Sequence, residues 1–458
     1  MRRGAALALL AALGGCAEAP ATNGSAGGAE TLVLRQVHVL PMTAETVLRD
    51  HTVVVEDGRI AAVGPAGEIE APAGATVVEG GGRYLLPGLV DFHVHLRDES
   101  ELASYLAHGV TTVVNLRGSP EHLELAAAVA AGLRLGPTIY TAGPLLDGDP
   151  PVFGGAGTVV VESAAEARRA VAEQAAAGYD LVKVYNNLPP EALVAAVEEA
   201  HGRGLAVAGH IPRNPDRATA LQRALAAGID LIAHGEEFFF TYLGGAADAA
   251  MKAPPPTPSP ERIREAARMA GEAEVAVTPN LSFIVMTARM LEDLPAVLEH
   301  PEARYLSPEV RAMWKEQNPT HRQDLERFAA REAVKYPAVR TLTRELQRAG
   351  VPLLLGTDAS APGLYPGWSA LLELEELVAA GLTPFEALVA GTRAPGRFLA
   401  RHVAGARRIG TIEVGKAADL LLVESNPLED VGALRERAGI VLRGEWIPGQ
   451  RLQAARAP

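Results

Sequence analysis

The stretch GLVDFHVH at residues 88–95 decides the fold, a short apolar run that closes on two histidines, His93 and His95. In a strand, residues i and i+2 point to the same side, so these two imidazoles project together. Imidazoles that converge at a strand end are a ready pair of metal ligands. Seven runs of the same kind follow: GVTTVVNL (109–116), GPTIYTAG (136–143), YDLVKVYN (179–186), GLAVAGH (204–210), IDLIAHG (229–235), EVAVTPNL (274–281) and VPLLLGTD (351–358). Ala-rich amphipathic segments separate most of them, such as PPEALVAAVEEAHGRG (189–204), which ends in a helix-stopping glycine. Eight strand-then-helix units over roughly 250–300 residues predict an α/β chain built on a (β/α)8 TIM barrel. It is expected over residues 87–407.

Outside that region the pattern changes. TLVLRQVHVL, HTVVVEDGRIAAVG and ATVVEGGGRYLLPG alternate apolar and polar residues between Asp-Gly and Gly-Gly turns. TIEVGKAADLLLVE and GIVLRGEWIPGQRL read likewise near the other end. The two ends are expected to pair as one small β-sandwich domain, its first part at 31–86 and its second at 408–458. One barrel interval is too long, with about 70 residues between Leu281 and Val351. Its helical periods predict an insert at about 282–340, and long insertions after barrel strands lie over the active face, as a lid does. For the proline run APPPTPSP (253–260), surface decoration and lid both remain open.

The whole chain has 458 residues, 48% apolar and 21% charged, which excludes wholesale disorder. Its net charge of −13 argues against a nucleic-acid partner, because phosphate binding needs surplus cations. The single cysteine, Cys16, rules out a disulfide framework within the chain and a cysteine-ligated metal site of zinc-finger type. Residues 1–16, MRRGAALALLAALGGC, have the basic start and short apolar run of a secretory signal, too short for a permanent span. Leu13-Gly14-Gly15-Cys16 resembles the lipobox of bacterial lipoproteins. That resemblance implies lipidation of Cys16, membrane anchoring and an extracytoplasmic (periplasmic) location. Residues 17–30 are small, polar and Gly/Ala-rich, as expected of a flexible tether. The oligomeric state is open, a homo-oligomer included.

Further candidate ligands stand at later strand ends: Lys183, His210, His234 and Asp358. Each closes an apolar run, where barrel enzymes place reactive groups. A lysine within an apolar strand needs a partner. Of twelve histidines, only His93, His95, His210 and His234 have this placement. Tyr185 and Asn186 follow Lys183 and are candidates to face substrate, as are Asn115 and Arg117 after the second run. Arg117 could pair with a substrate carboxylate through its bidentate fork.

His93-x-His95, Lys183, His210, His234 and Asp358, in that order, resemble the amidohydrolase superfamily with a binuclear metal centre. LLPGLVDFHVHL, AGLTPFEALVAGT and GTIEVGKAADLLLVESNPL carry the same resemblance. YDLVKVYNN and the Leu-Tyr-Pro-Gly after Gly-Thr-Asp look most like its imidazolonepropionase-like and prolidase-like branch. The resemblance implies two divalent cations, zinc foremost, bridged by a carbamate that carbon dioxide forms on Lys183. His93, His95 and Asp358 would hold the more buried ion, and His210 and His234 the other. It implies attack by a metal-bridging hydroxide on an amide or peptide bond of a small substrate, such as an Xaa-Pro dipeptide or N-acyl amino acid, with Asp358 as general base. A lactone, ester or phosphotriester would suit the same centre, and a non-catalytic binding protein on this scaffold is the contrasting class.

Overall fold

The computed structural model describes residues 31–214, 216–244 and 255–456. Cys16, the signal-like segment and the tether lie outside the described residues, as does the start of the proline run. The chain opens with five short strands, β1 (Leu32–Val39), β2 (Leu48–Glu56), β3 (Arg59–Pro65), β4 (Thr76–Glu79) and β5 (Tyr84–Pro87). Glu56 faces Arg59 across the β2–β3 turn, where Asp57 and Gly58 take φ of 50° and 71°. A two-residue Asp-Gly hairpin needs that left-handed pair.

From the other chain end come β15 (Leu420–Val423), β16 (Arg437–Leu442) and β17 (Glu445–Pro448). β15 pairs antiparallel with β5, joining the two ends in one sheet of order β17-β16-β15-β5-β1-β2-β3, with β4 along β1. The expected sandwich is made by a single folded sheet, not by two. Gln36, at φ 56°, divides β1 into a part paired with β4 and a part paired with β5. Leu34, Val53 and Ile60 then meet Leu420, Leu422 and Val441 in one apolar cluster.

Seven of the eight expected barrel runs form strands: β6 (Leu89–Val94), β7 (Val110–Asn115), β8 (Thr138–Thr141), β11 (Leu181–Val184), β12 (Ala206–Gly209), β13 (Leu231–Ala233) and β14 (Ala276–Thr278). Two short strands without a clear sequence signal, β9 (Leu145–Asp147) and β10 (Thr158–Val160), extend the third unit. Every pair among them is parallel. The eighth run is a correction, because residues 351–358 form no regular strand. They still bond on both sides: Leu354 N donates to Val277 O, while Phe92 N donates to Leu355 O and Asp358 N to His93 O. The chain leaves the extended conformation at Asp358, whose φ is 69°. At Gly356 a Cβ would lie 2.9 Å from the His93 Cβ and 3.0 Å from the Thr278 Cβ, so only glycine passes between these neighbours.

Helices Leu281–Glu292, Leu294–Leu298, Pro308–Glu316 and Leu325–Arg348 fill the long interval, the last running past the expected end at 340. Met286, Met290 and Trp314 of these helices pack with Leu364 and Tyr365 of the loop after Asp358. Trp314 Nε1 also donates to Ser360 O at 3.1 Å, tying the insert to the barrel end that carries Asp358. Among the described residues, no helix is long and apolar enough to cross a membrane.

Candidate metal centre

The C-terminal ends of β6, β11, β12 and β13 and the turn at Asp358 meet in one place. Ring centroids are 5.2 Å apart for His93 and His95, 4.5 Å for His93 and His234, and 4.9 Å for His210 and His234. Asp358 Oδ1 lies 2.8 Å from His95 Nε2 and 3.2 Å from His93 Nε2. His93, His234 and Asp358 each offer a ligand atom, all within 4.8 Å of one another. Lys183 is buried at the end of β11, within electrostatic reach of Asp358 and His93. The six candidate ligands are thus neighbours.

Buried polar atoms nearly always have partners. Here Nδ1 of His93, of His95 and of His234 and Lys183 Nζ have no hydrogen-bond partner, and Asp358 Oδ1 and His93 Nε2 have only the close contacts among Asp358, His93 and His95. The orphaned imidazole nitrogens and the Asp358 oxygen fit cations, for which they are the right donors, whereas the Lys183 amine, protonated, is not one. Protonation points the same way. Burial, with Lys183 and the other imidazoles, holds His93 well below its ordinary range. Burial also brings His234 down to about 4, against the pull of Asp358. Both rings are neutral at pH 7, the form that ligates. Burial pushes the Asp358 carboxyl up, but His95, His234 and Lys183 outweigh it and hold it at about 2. Burial lowers the Lys183 amine to about 8.

A second layer orients these groups. His210 Nδ1 lies 2.8 Å from Asn186 Oδ1 and 3.2 Å from Glu237 Oε1, which leaves Nε2 for the site. Asn186, expected to face substrate, bonds His210 through its Oδ1. Glu237 is fully buried, accepts from Ile211 N at 3.1 Å and pairs with Arg213. Burial alone would raise its carboxyl; Arg213 and His210 hold it far below the carboxylate range. Asp91 accepts from Thr357 Oγ1 at 2.7 Å, Thr357 N at 3.1 Å and His93 N at 3.3 Å, linking β6 to the Asp358 turn. Sequence reading passed over Glu237 and Asp91. Asp91 lies two positions before His93 on one strand face, and Glu237 heads the apolar EFFF; either could have signalled a buried partner.

The Tyr185 ring is 4.0 Å from His210 and 5.6 Å from Phe153, so it borders the centre. Arg117 stands 4.9 Å over Phe153, one ring further out, and donates to Gly154 O and Gly157 O. Asn115 is occupied by Leu96 N, Thr141 Oγ1 and Arg117 O.

This chain belongs to the amidohydrolase family, whose profile matches residues 84–447. It is similar to a prolidase-type protein from Bifidobacterium longum, whose crystal structure superposes with a TM-score of 0.69 and 28% identity, covering 93% of this chain and 98% of that one. A crystal structure of a Xaa-Pro dipeptidase with bound methionine shares the fold, with a TM-score of 0.67 and 20% identity over 92% of this chain and 100% of that one. An imidazolonepropionase of Stenotrophomonas maltophilia (strain R551-3) is 42% identical over 62 residues, 13% of this chain and 15% of that protein. The matched region spans only 14% of the length of curated relatives such as the adenine deaminases. The prolidase-like and imidazolonepropionase-like resemblance is thus matched by named relatives.

Proposed function

We propose that this chain hydrolyses an amide or peptide C–N bond in a small substrate, an Xaa-Pro dipeptide or an N-acyl amino acid. Two divalent cations, zinc foremost, would be held by His93, His95, Lys183, His210, His234 and Asp358. The cluster of unpartnered buried donors at one end of the strands carries this reading. Such cations supply Lewis acidity toward a carbonyl oxygen and make a water more acidic. Asp358, a carboxylate from about pH 2 upward, is ready to take a proton from that water. The water oxygen bonds to the carbonyl carbon, the C–N bond breaks, and Asp358 returns the proton to the leaving nitrogen. Asn186 and Glu237 hold the His210 ring in one tautomer and direction.

Lys183 enters as a carbamate. A neutral amine adds to carbon dioxide, a nitrogen–carbon bond forms and one proton leaves. The product is an anion shaped like a carboxylate, set among four imidazoles. Its burial and its lack of a partner support this role. Membrane tethering through Cys16 belongs to the same proposal; palmitate-analogue labelling that Cys16→Ser fails to abolish would overturn it.

The test is a screen of the metal-loaded protein against dipeptides, N-acyl amino acids, lactones and phosphotriesters. Turnover of the amides is expected. Turnover confined to lactones or phosphotriesters would move the function to that class. A fully metal-loaded protein that hydrolyses none of them would favour a binding role.

A further inference from the structure

A cavity of about 330 Å³ opens beside the histidine cluster. The two share a wall, because the Phe283 ring lines the cavity and stands 6.0 Å from His234. Pro362, four residues beyond Asp358, lines it on another side. The remaining apolar surface comes from Phe240, Met290, Pro319 and Phe328, most of it carried by the helical insert. At this size a pocket can enclose one ring-sized group.

Three cations also reach the cavity, and their pairing decides what it takes. Lys335 Nζ is closed off by Glu236 at 2.5 Å and Glu332 at 2.6 Å. Arg331 pairs with Glu332 at 3.0 Å, and Arg322 with Asp324 at 3.0 Å. Each positive charge is therefore answered, and the cavity is not built for a second anion. The guanidinium groups sit over the rings instead: Arg331 is 4.7 Å from the Phe328 centroid and 5.5 Å from that of Phe240, and Arg322 is 4.6 Å from that of Phe328. Cation–π contacts of this kind help hold the aromatic walls.

We infer that this cavity is the specificity pocket of the site and takes a bulky apolar side chain, aromatic or long aliphatic, next to the scissile bond. This rests on the hydrolytic reading above and narrows it. The substrate class becomes small amides that carry a Phe-, Leu- or Met-like residue. Phe328 and Met290 are the residues that set the preference, and neither touches the reacting atoms.

Paired dipeptides test it on the metal-loaded enzyme: Phe-Gly against Ala-Gly, and Gly-Phe against Gly-Ala. On one side of the bond the phenylalanyl substrate should be favoured at least about tenfold in kcat/KM, a discrimination an apolar pocket can supply. Phe328→Ala should erase most of that ratio, and Phe328→Leu should retain part of it. No preference in the wild type, or a preference untouched by Phe328→Ala, overturns the inference while leaving hydrolysis standing. If no dipeptide is cut, calorimetry with the neutral probe N-acetyl-L-phenylalanine amide decides. Saturable binding that exceeds that of the alanine amide and is lost in Phe328→Ala supports the pocket; no such binding overturns it.

Discussion

The two ends of the barrel strands treat their polar groups in opposite ways. At the start of β13, Asp230 accepts from Val207 N at 2.8 Å and lies 2.9 Å from His201 Nε2 and 3.6 Å from His402 Nδ1. Four residues on, His234 has an Nδ1 with no partner. At the start of β11, Asp180 accepts from Thr141 N at 2.8 Å, while Lys183 at its far end has nothing to bond. A few ångströms of the same strand separate a satisfied group from an orphaned one. The difference teaches what each end is for. The starts spend their charges on holding strands and helices together, whereas His234 and Lys183 at the ends keep unbonded atoms, as the proposed metal site requires.

The contrast can be broken at either end. The largest effect is expected from Asp358→Asn, which should lower kcat by about 10²–10⁴, the usual range for losing a general base, and should barely change the unfolding midpoint. A folded Asp358→Asn protein with wild-type kcat would reverse the assignment. Next comes Glu237→Gln, which loosens the hold on His210. Metal affinity should fall by about 10–100-fold, read by competition with a chelator.

At the other end, Asp230→Ala leaves Val207 N and two histidines without their acceptor. Stability should drop by about 1–3 kcal/mol in denaturant melts, with kcat of the metal-loaded enzyme unchanged. The smallest effect is a pH dependence at Asp180. Burial raises its carboxyl to about 6, the Thr141 N–H pulling the other way. In the unfolded chain it titrates near 4. The fold therefore favours its protonated form, so its contribution is full below about pH 4 and lost as pH rises through about 6. Asp180→Asn should gain on the wild type between pH 4 and 7 by at most about 3 kcal/mol, and by less where water reaches the carboxyl. A gain that grows toward acid pH would have the wrong sign.

Much of this was legible in the chain itself. His93 and His95 were readable because the two-residue period of a strand is strict, and the apolar runs located the other strand ends. The eighth run misled because its apolar composition is that of a strand, whereas Gly356 and the left-handed turn at Asp358 answer to neighbours far away in sequence. The folding over of the β-domain sheet at Gln36 is likewise set by pairing with β4 and β5, and no local pattern announces it. Asn186 looked like a substrate residue from its place after Lys183. Its hydrogen-bond partner, His210, comes from the next strand, and a single strand's sequence does not reveal cross-strand partners. Glu237 was hidden for the same reason, being one acid among several until Arg213 and His210 close around it.

The central claim is that the orphaned groups at the strand ends exist to hold metal. The direct measurement is metal content per chain after reconstitution with zinc and bicarbonate, in the wild type and in Lys183→Ala. Close to two ions per chain in the wild type, with a clear loss in the variant, is the expected result. A wild-type protein that stays folded and binds none would contradict the account.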